Sequence, residues 1–183
     1  MESVVNLSAQ QAGFTLIELM IVITIVAIFV TVGVPNFQNL ISDNRLSTQA
    51  NRLVSSLQLA RSEALKLRTP ISVCRSTNGT SCAGTGSWET GWLVFVDTNA
   101  NGDVDGERII QSNGTLSAGN TLRAAAAPFD DFINYQPTGL QSAAAGNFRL
   151  CDGNNPDVNQ GRQISVTSTG RVQTTKGGLA SCP

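Results

Sequence analysis

The sequence predicts an α+β fold, one long helix followed by a run of short strands. Three observations carry that reading. Apolar residues run almost without interruption from Phe14 to Val34, and they recur at three- and four-residue spacing from there to Leu67. After Pro70 they alternate with polar residues between turns rich in Gly, Asn, Ser and Thr. A helix of that kind followed by consecutive strands reads as a spine with a sheet wrapped over its distal half.

The first element is the apolar run. Phe14–Val34 holds 21 residues and one charge, Glu18. As a helix it would span about 31 Å, enough to cross the hydrocarbon core of a bilayer. A cleaved secretory signal would have a basic start, a shorter apolar run and a small-residue cut site, which TVGVPNF does not offer. A plain anchor explains the length but not Glu18. A carboxylate at mid-bilayer costs about 2.5–3.5 kcal/mol on insertion scales, less near the interface, where Glu18 could sit.

Gly33 and Pro35 then interrupt the run. Proline lacks an N–H and clashes with the preceding turn, so a kink or local unwinding is expected there. Beyond it, Phe37, Leu40, Ile41, Leu53, Val54, Leu57, Ala60, Ala64 and Leu67 form the expected buried stripe, with Arg45, Arg52, Arg61, Lys66 and Arg68 mostly facing away from it. Pro70 stops the helix. Strands are expected at Ile71–Arg75, Trp88–Val96, Glu107–Ser112, Thr121–Ala124, Phe132–Tyr135, Asn147–Cys151, Arg162–Thr167 and Arg171–Thr175, with a loop over Gln141–Gly146.

Composition narrows the chemistry. The 183 residues carry a formal net charge of −1 and a mean hydropathy of +0.02, which argues against coating nucleic acid by bulk charge. The absence of histidine excludes Ser-His-Asp and Cys-His hydrolases, His-ligated zinc and His proton shuttles. A carboxylate-based enzyme would look to Asp130-Asp131, the nearest acidic pair. Consecutive strand residues point to opposite faces, which makes a shared site there unfavourable.

The octapeptide Gly13-Phe14-Thr15-Leu16-Ile17-Glu18-Leu19-Met20 resembles the processing site of type IV pilins and type II secretion pseudopilins. The resemblance implies that a prepilin peptidase cuts between Gly13 and Phe14 and that the new amino terminus on Phe14 is methylated. A glycine at the cut permits close backbone approach. A carboxylate in an apolar helix demands a cationic partner. The resemblance supplies one for Glu18: the freed amino group of a neighbouring subunit, setting register in a filament. The stretch before Pro35 would extend during assembly. The leader MESVVNLSAQQAG departs from the pattern in carrying Glu2 and no Lys or Arg.

The rest of the chain resembles the GspH/FimT/FimU group of minor pilins and pseudopilins. The residues concerned are Gln58-Leu59-Ala60-Arg61-Ser62-Glu63-Ala64, Gly91-Trp92-Leu93-Val94-Phe95-Val96-Asp97 and Ser168-Thr169-Gly170-Arg171. The implied organisation is pilin-like: a leader over 1–13, a transmembrane and filament-core helix over 14–34 that protrudes, an amphipathic packed helix over 35–70 and an antiparallel β domain over 71–183. The implied role is structural and not enzymatic: a minor type IV pilin in a tip or priming complex, supporting pilus biogenesis, twitching motility and adhesion. The implied partners are prepilin peptidase, other major and minor pilins or pseudopilins, and an inner-membrane assembly platform. The protein would sit in the inner membrane with one span and a periplasmic domain, then in a pilus on the cell surface. A type II secretion pseudopilin and a DNA-binding minor pilin for natural transformation are the rival roles.

A periplasmic domain would be oxidised. Cys74 and Cys82 flank the turn Ser76–Ser81, so a local clamp is expected, leaving Cys151 with Cys182; two other connectivities, or four free thiols, stay open. Asp97, Asn99, Asn101, Asp103 and Asp105, with Gly102 at the sharp-turn position, resemble a calcium loop. Its twelfth position is Arg108 rather than Glu, and an ion-free hairpin turn is the preferred reading, so no cofactor is expected. Residues 84–131 hold seven acidic side chains against Arg108 and Arg123. Residues 147–183 hold Arg149, Arg162, Arg171 and Lys176 against Asp152 and Asp157. Some FimT-like pilins bind DNA through a terminal G-R-x-R motif. Here Gly170-Arg171-Val172-Gln173 lacks the second arginine, so a solvated turn is preferred over a DNA contact.

Overall fold

The computed structural model describes residues 13–84, 86–125 and 129–182, so the leader lies outside the described residues except for Gly13. The chain divides into two compact units, Met1–Ile41 and Ser42–Pro183. The first contains helix α1 (Leu16–Ile28), a π-helical turn (Phe29–Gly33) and the start of helix α2 (Val34–Leu67). The second contains the rest of α2 and eight strands: β1 (Ile71–Arg75), β2 (Gly91–Val96), β3 (Ile109–Gly114), β4 (Thr121–Ala124), β5 (Phe132–Tyr135), β6 (Gly146–Cys151), β7 (Arg162–Val166) and β8 (Val172–Lys176).

The strands make two four-stranded sheets rather than one, ordered β3-β2-β1-β5 and β4-β6-β7-β8, and every pairing is antiparallel. A common core lies between α2 and both sheets. Leu46, Ala50, Leu53, Leu57, Ala60 and Ala64 recur at three and four residues along α2 and are fully buried against Ile71, Val73, Trp92, Val94, Phe148 and Ile164. The buried stripe thus differs from the expected one. It includes Leu46 and Ala50, while Phe37, Leu40, Ile41 and Leu67 are exposed. The cationic side chains differ too. Arg52 donates to Asn113 and Gly114 and lies over the Trp92 ring, and Arg61 donates to the Gly139 carbonyl, so the first ties the helix to the end of β3 and the second to the loop after β5.

β1 is buried at all five residues, which suits its apolar and small side chains from Ile71 to Cys74, while the buried Arg75 that ends it pairs with Asp131. One face meets α2; the other carries a smaller cluster of Cys74, Leu93 and Phe95 with Cys82, Val104, Ile109 and Phe132 packed against it. The expected strand Trp88–Val96 is shorter: Trp88–Thr90 is a 3-10 turn, and the strand begins at Gly91. Gly91 has φ +128°, and a Cβ there would run into the Asn113 carbonyl oxygen. β3 begins at Ile109, not Glu107, because Glu107 turns back to close the preceding loop.

Candidate functional site

The amino-terminal segment begins at Gly13 and enters α1 through Thr15, whose extended backbone and side chain cap the helix by accepting from the Glu18 N–H at 3.3 Å. Glu18 therefore lies in the first turn, where the unpaired N–H groups favour a negative charge. Every side chain described from Phe14 to Ile41 is exposed, Phe14 by 84%. An 18-residue window of this helix reaches a mean hydropathy of 2.7 with none of it buried, so by length and composition it can cross a membrane. Left bare, such a surface demands either lipid or other apolar helices.

The helix does not stop at Pro35; it widens before it. Phe29–Gly33 is π-helical, and α2 resumes at Val34. A proline at 35 gives no N–H to the preceding turn, and the Asn36 side chain donates to the Val32 carbonyl at 2.8 Å. Thr31 folds its hydroxyl back onto the Ala27 carbonyl at 2.9 Å.

The cysteines are joined as Cys74–Cys82 and Cys151–Cys182, with Cα atoms 5.6 and 5.7 Å apart. The first closes the turn after β1; the second ties the carboxyl-terminal segment to β6.

In the acidic loop Asp97 turns inward, while Asn99, Asn101, Asp103 and Asp105 stay exposed. Asp97 is fully buried and accepts from the Ser72 hydroxyl at 2.6 Å and from the Gly102 and Asn101 N–H groups at 3.0 and 3.1 Å. Asp105 accepts from Asn99 and Asn101 at 3.3 and 2.7 Å. Glu107 accepts from the Thr98 N–H and hydroxyl, both at 2.8 Å, and these bonds hold its carboxyl below the usual range. Gly102, at φ +83°, lies against the Phe132 ring, which leaves no room for a side chain. Among the described residues no three acidic or thiol groups converge as a metal site. The donor set does not fit calcium as it stands, because the Asp97, Asp105 and Glu107 carboxylates are turned to N–H and O–H groups of the loop and of Ser72. Asp131 pairs with Arg75 at 2.6 Å.

Arg171 is exposed in the turn between β7 and β8. With the Gln173 amide oriented so that its oxygen faces the guanidinium, Arg171 donates to it at 2.9 and 3.1 Å.

One polar cluster was not visible in the sequence. Asp43 accepts from Arg162 at 2.8 Å and from Lys176 at 2.5 Å, while Ser42 bonds to Asp152. These partners are more than a hundred residues apart and carry no spacing signal. Arg162, although it stands in a strand, is 6% exposed and also donates to Ser47 and the Gln160 carbonyl. The hydrogen bond from Arg162, then that from Lys176, holds the Asp43 carboxyl below the ordinary carboxylate range.

With this geometry in place, three comparisons bear on the chain. The family profile described as type II transport protein GspH matches residues 49–170, and that described as prokaryotic N-terminal methylation motif matches residues 8–34. The crystal structure of the type IV minor pilin FimU of Pseudomonas aeruginosa is similar with TM-score 0.61 and 24% identity, over 76% of this chain and 96% of that one. The minor pseudopilin EpsH from the type 2 secretion system of Vibrio cholerae is similar with TM-score 0.51 and 13% identity, over 74% of this chain and 99% of that one. No curated protein matches in sequence. The long helix followed by antiparallel sheets is a pilin-like fold.

Proposed function

The chain belongs to the GspH family of minor pilins and pseudopilins, and from that premise we propose that it is a minor type IV pilin, incorporated into a tip or priming complex that starts pilus assembly and supports twitching motility and adhesion. One observation carries the reading. The methylation motif opens directly into a helix whose described side chains are bare from Phe14 to Ile41 and whose only charge before Asp43 is Glu18. Prepilin peptidase would cut between Gly13 and Phe14 and methylate Phe14. The helix over 14–34 would be held in the inner membrane, with the domain from Ser42 in the periplasm, until an assembly platform moves it into the fibre. There the bare helix would be covered by those of other pilins. Glu18 would meet the amino terminus of a neighbour, and the widened turn before Pro35 would let the helix lengthen.

Several features support a structural role. The fold is built around packing and disulfides, the carboxylates of Asp97, Asp105 and Glu107 accept hydrogen bonds within the domain, and Asp131 is engaged by Arg75. We propose no catalytic activity and no cofactor. Arg171, a single turn arginine held by Gln173, is not proposed as a DNA contact; loss of an electrophoretic shift in Arg171→Ala would restore that role.

A pseudopilin of a type II secretion system is the second reading, favoured by the match to the type II transport protein GspH family. Fold likeness is higher to FimU than to EpsH, which supports the pilus. Deletion in the parent organism separates the two. The pilus reading expects loss of surface pili and twitching with exoprotein secretion intact; lost secretion with normal twitching overturns it.

A further inference from the structure

We propose that the outer edge of β8 is a docking surface for the same edge of a second copy of this chain, the two strands pairing antiparallel about Thr174. The ladder between β7 and β8 fixes which backbone groups are free. Thr167 N–H donates to the Arg171 carbonyl at 3.0 Å and Gly177 N–H to the Gly161 carbonyl at 2.9 Å. In the register Arg162↔Lys176 to Val166↔Val172, the residues exchanging bonds with β7 are therefore Arg171, Gln173, Thr175 and Gly177. The N–H and C=O groups of Val172, Thr174 and Lys176 point the other way. β8 is the last strand of its sheet, so nothing in the described chain takes them.

The other three sheet edges are blunted. β4 is four residues long, and the Glu89 carboxylate accepts its Leu122 N–H at 3.2 Å. β5 is covered by the chain that follows it: Tyr135 bridges Gln141, and Ser142 N–H donates to the Asn134 carbonyl at 3.0 Å. β3 carries a register shift opposite Val94/Phe95. β8 has no bulge and no proline, its last four residues are exposed, and its one charge, Lys176, is drawn to Asp43. An edge of that kind is a template for another strand.

The sequence Val172-Gln173-Thr174-Thr175-Lys176 suits itself as the occupant. With a two-fold axis at Thr174, Thr174 faces Thr174 of the copy, Val172 faces Lys176, and Gln173 faces Thr175. No like charges meet, and a Thr–Thr pair is favourable across strands. The contact is self-complementary and closes as a dimer, with two four-stranded sheets becoming one of eight.

The test is amide hydrogen exchange by NMR on the full chain in detergent, dilute and concentrated. The expected result is slowing of the Val172, Thr174 and Lys176 amides by about tenfold or more on concentration, with Gln173 and Thr175 protected throughout. Thr174→Pro removes only an outward N–H and so leaves the β7 ladder in place. It should abolish both the concentration dependence and the dimer mass by light scattering. Should that variant misfold, Thr174→Cys decides. Cα atoms of a facing bonded pair lie about 5.5 Å apart, within disulfide reach, so this variant should cross-link between copies while Arg171→Cys does not. Fast exchange of the three amides at every concentration, an unchanged dimer in folded Thr174→Pro, or no Thr174→Cys cross-link overturns the proposal. Protection that appears only when a different subunit is added overturns it as well and reassigns the edge to that subunit.

Discussion

Asp43 illustrates how much one side chain can hold. It answers two cations, one of them the buried guanidinium of Arg162. Asp43→Ala should lower stability by about 1–2 kcal/mol, a value kept modest because Asp43 still faces water on one side; thermal unfolding of the detergent-solubilised chain measures it. The same pair sets a pH dependence. Asp43 is held below its unfolded value, so its contribution is complete above about pH 4 and is lost as pH falls through the lower, folded value. The acid limb of an unfolding profile should therefore be shallower in Asp43→Asn than in the native chain. Ser56 is a second such point: it accepts from the Trp92 indole at 2.9 Å and the Asn113 amide at 3.2 Å. Ser56→Ala leaves both donors buried without this acceptor and should cost about 1–3 kcal/mol by the same assay. None of these bonds was legible in the sequence. Polar side chains have no periodicity, and their partners are set by a tertiary fold that a local pattern does not encode.

Elements were far more legible, and the reason is punctuation. β1, β4 and β5 stand where alternation and turn residues place them, because Pro70, Asn120 and the Asp130-Asp131 pair bound them sharply. The errors fall where an apolar run continues through a change of backbone. Trp88 is apolar and buried like its neighbours in β2, yet the chain coils there and straightens only at Gly91. Gly91→Ala should therefore be among the more damaging small substitutions, since neither φ nor space admits a methyl group. The helix stripe was misplaced for a similar reason: Phe37, Leu40 and Ile41 match the period, but they belong to the unit whose described side chains are all exposed. The Cys151–Cys182 bridge closes a separation of 31 residues and anchors a segment with little other structure. Cys182→Ser should cost about 2–4 kcal/mol in the oxidised protein and nothing further once the native chain is reduced.

At the scale of the whole molecule, the amino-terminal helix is the feature that needs partners. Its apolar surface is bare, its one early carboxylate, Glu18, lies in the first turn, and the helix is capped by Thr15, two positions after Gly13. Glu18→Val removes a charge that lipid would disfavour, so membrane insertion should persist while incorporation into fibres is lost; normal incorporation would remove the register role. The N-terminal methylation motif was legible because it is short, local and chemically unusual, whereas the partners of the helix leave no trace in the chain. The most direct measurement is intact mass spectrometry of the protein from cells with and without prepilin peptidase. The account predicts a chain beginning at N-methylated Phe14 when the peptidase is present and the uncut leader when it is not. A functional protein that keeps Met1 in both would contradict it.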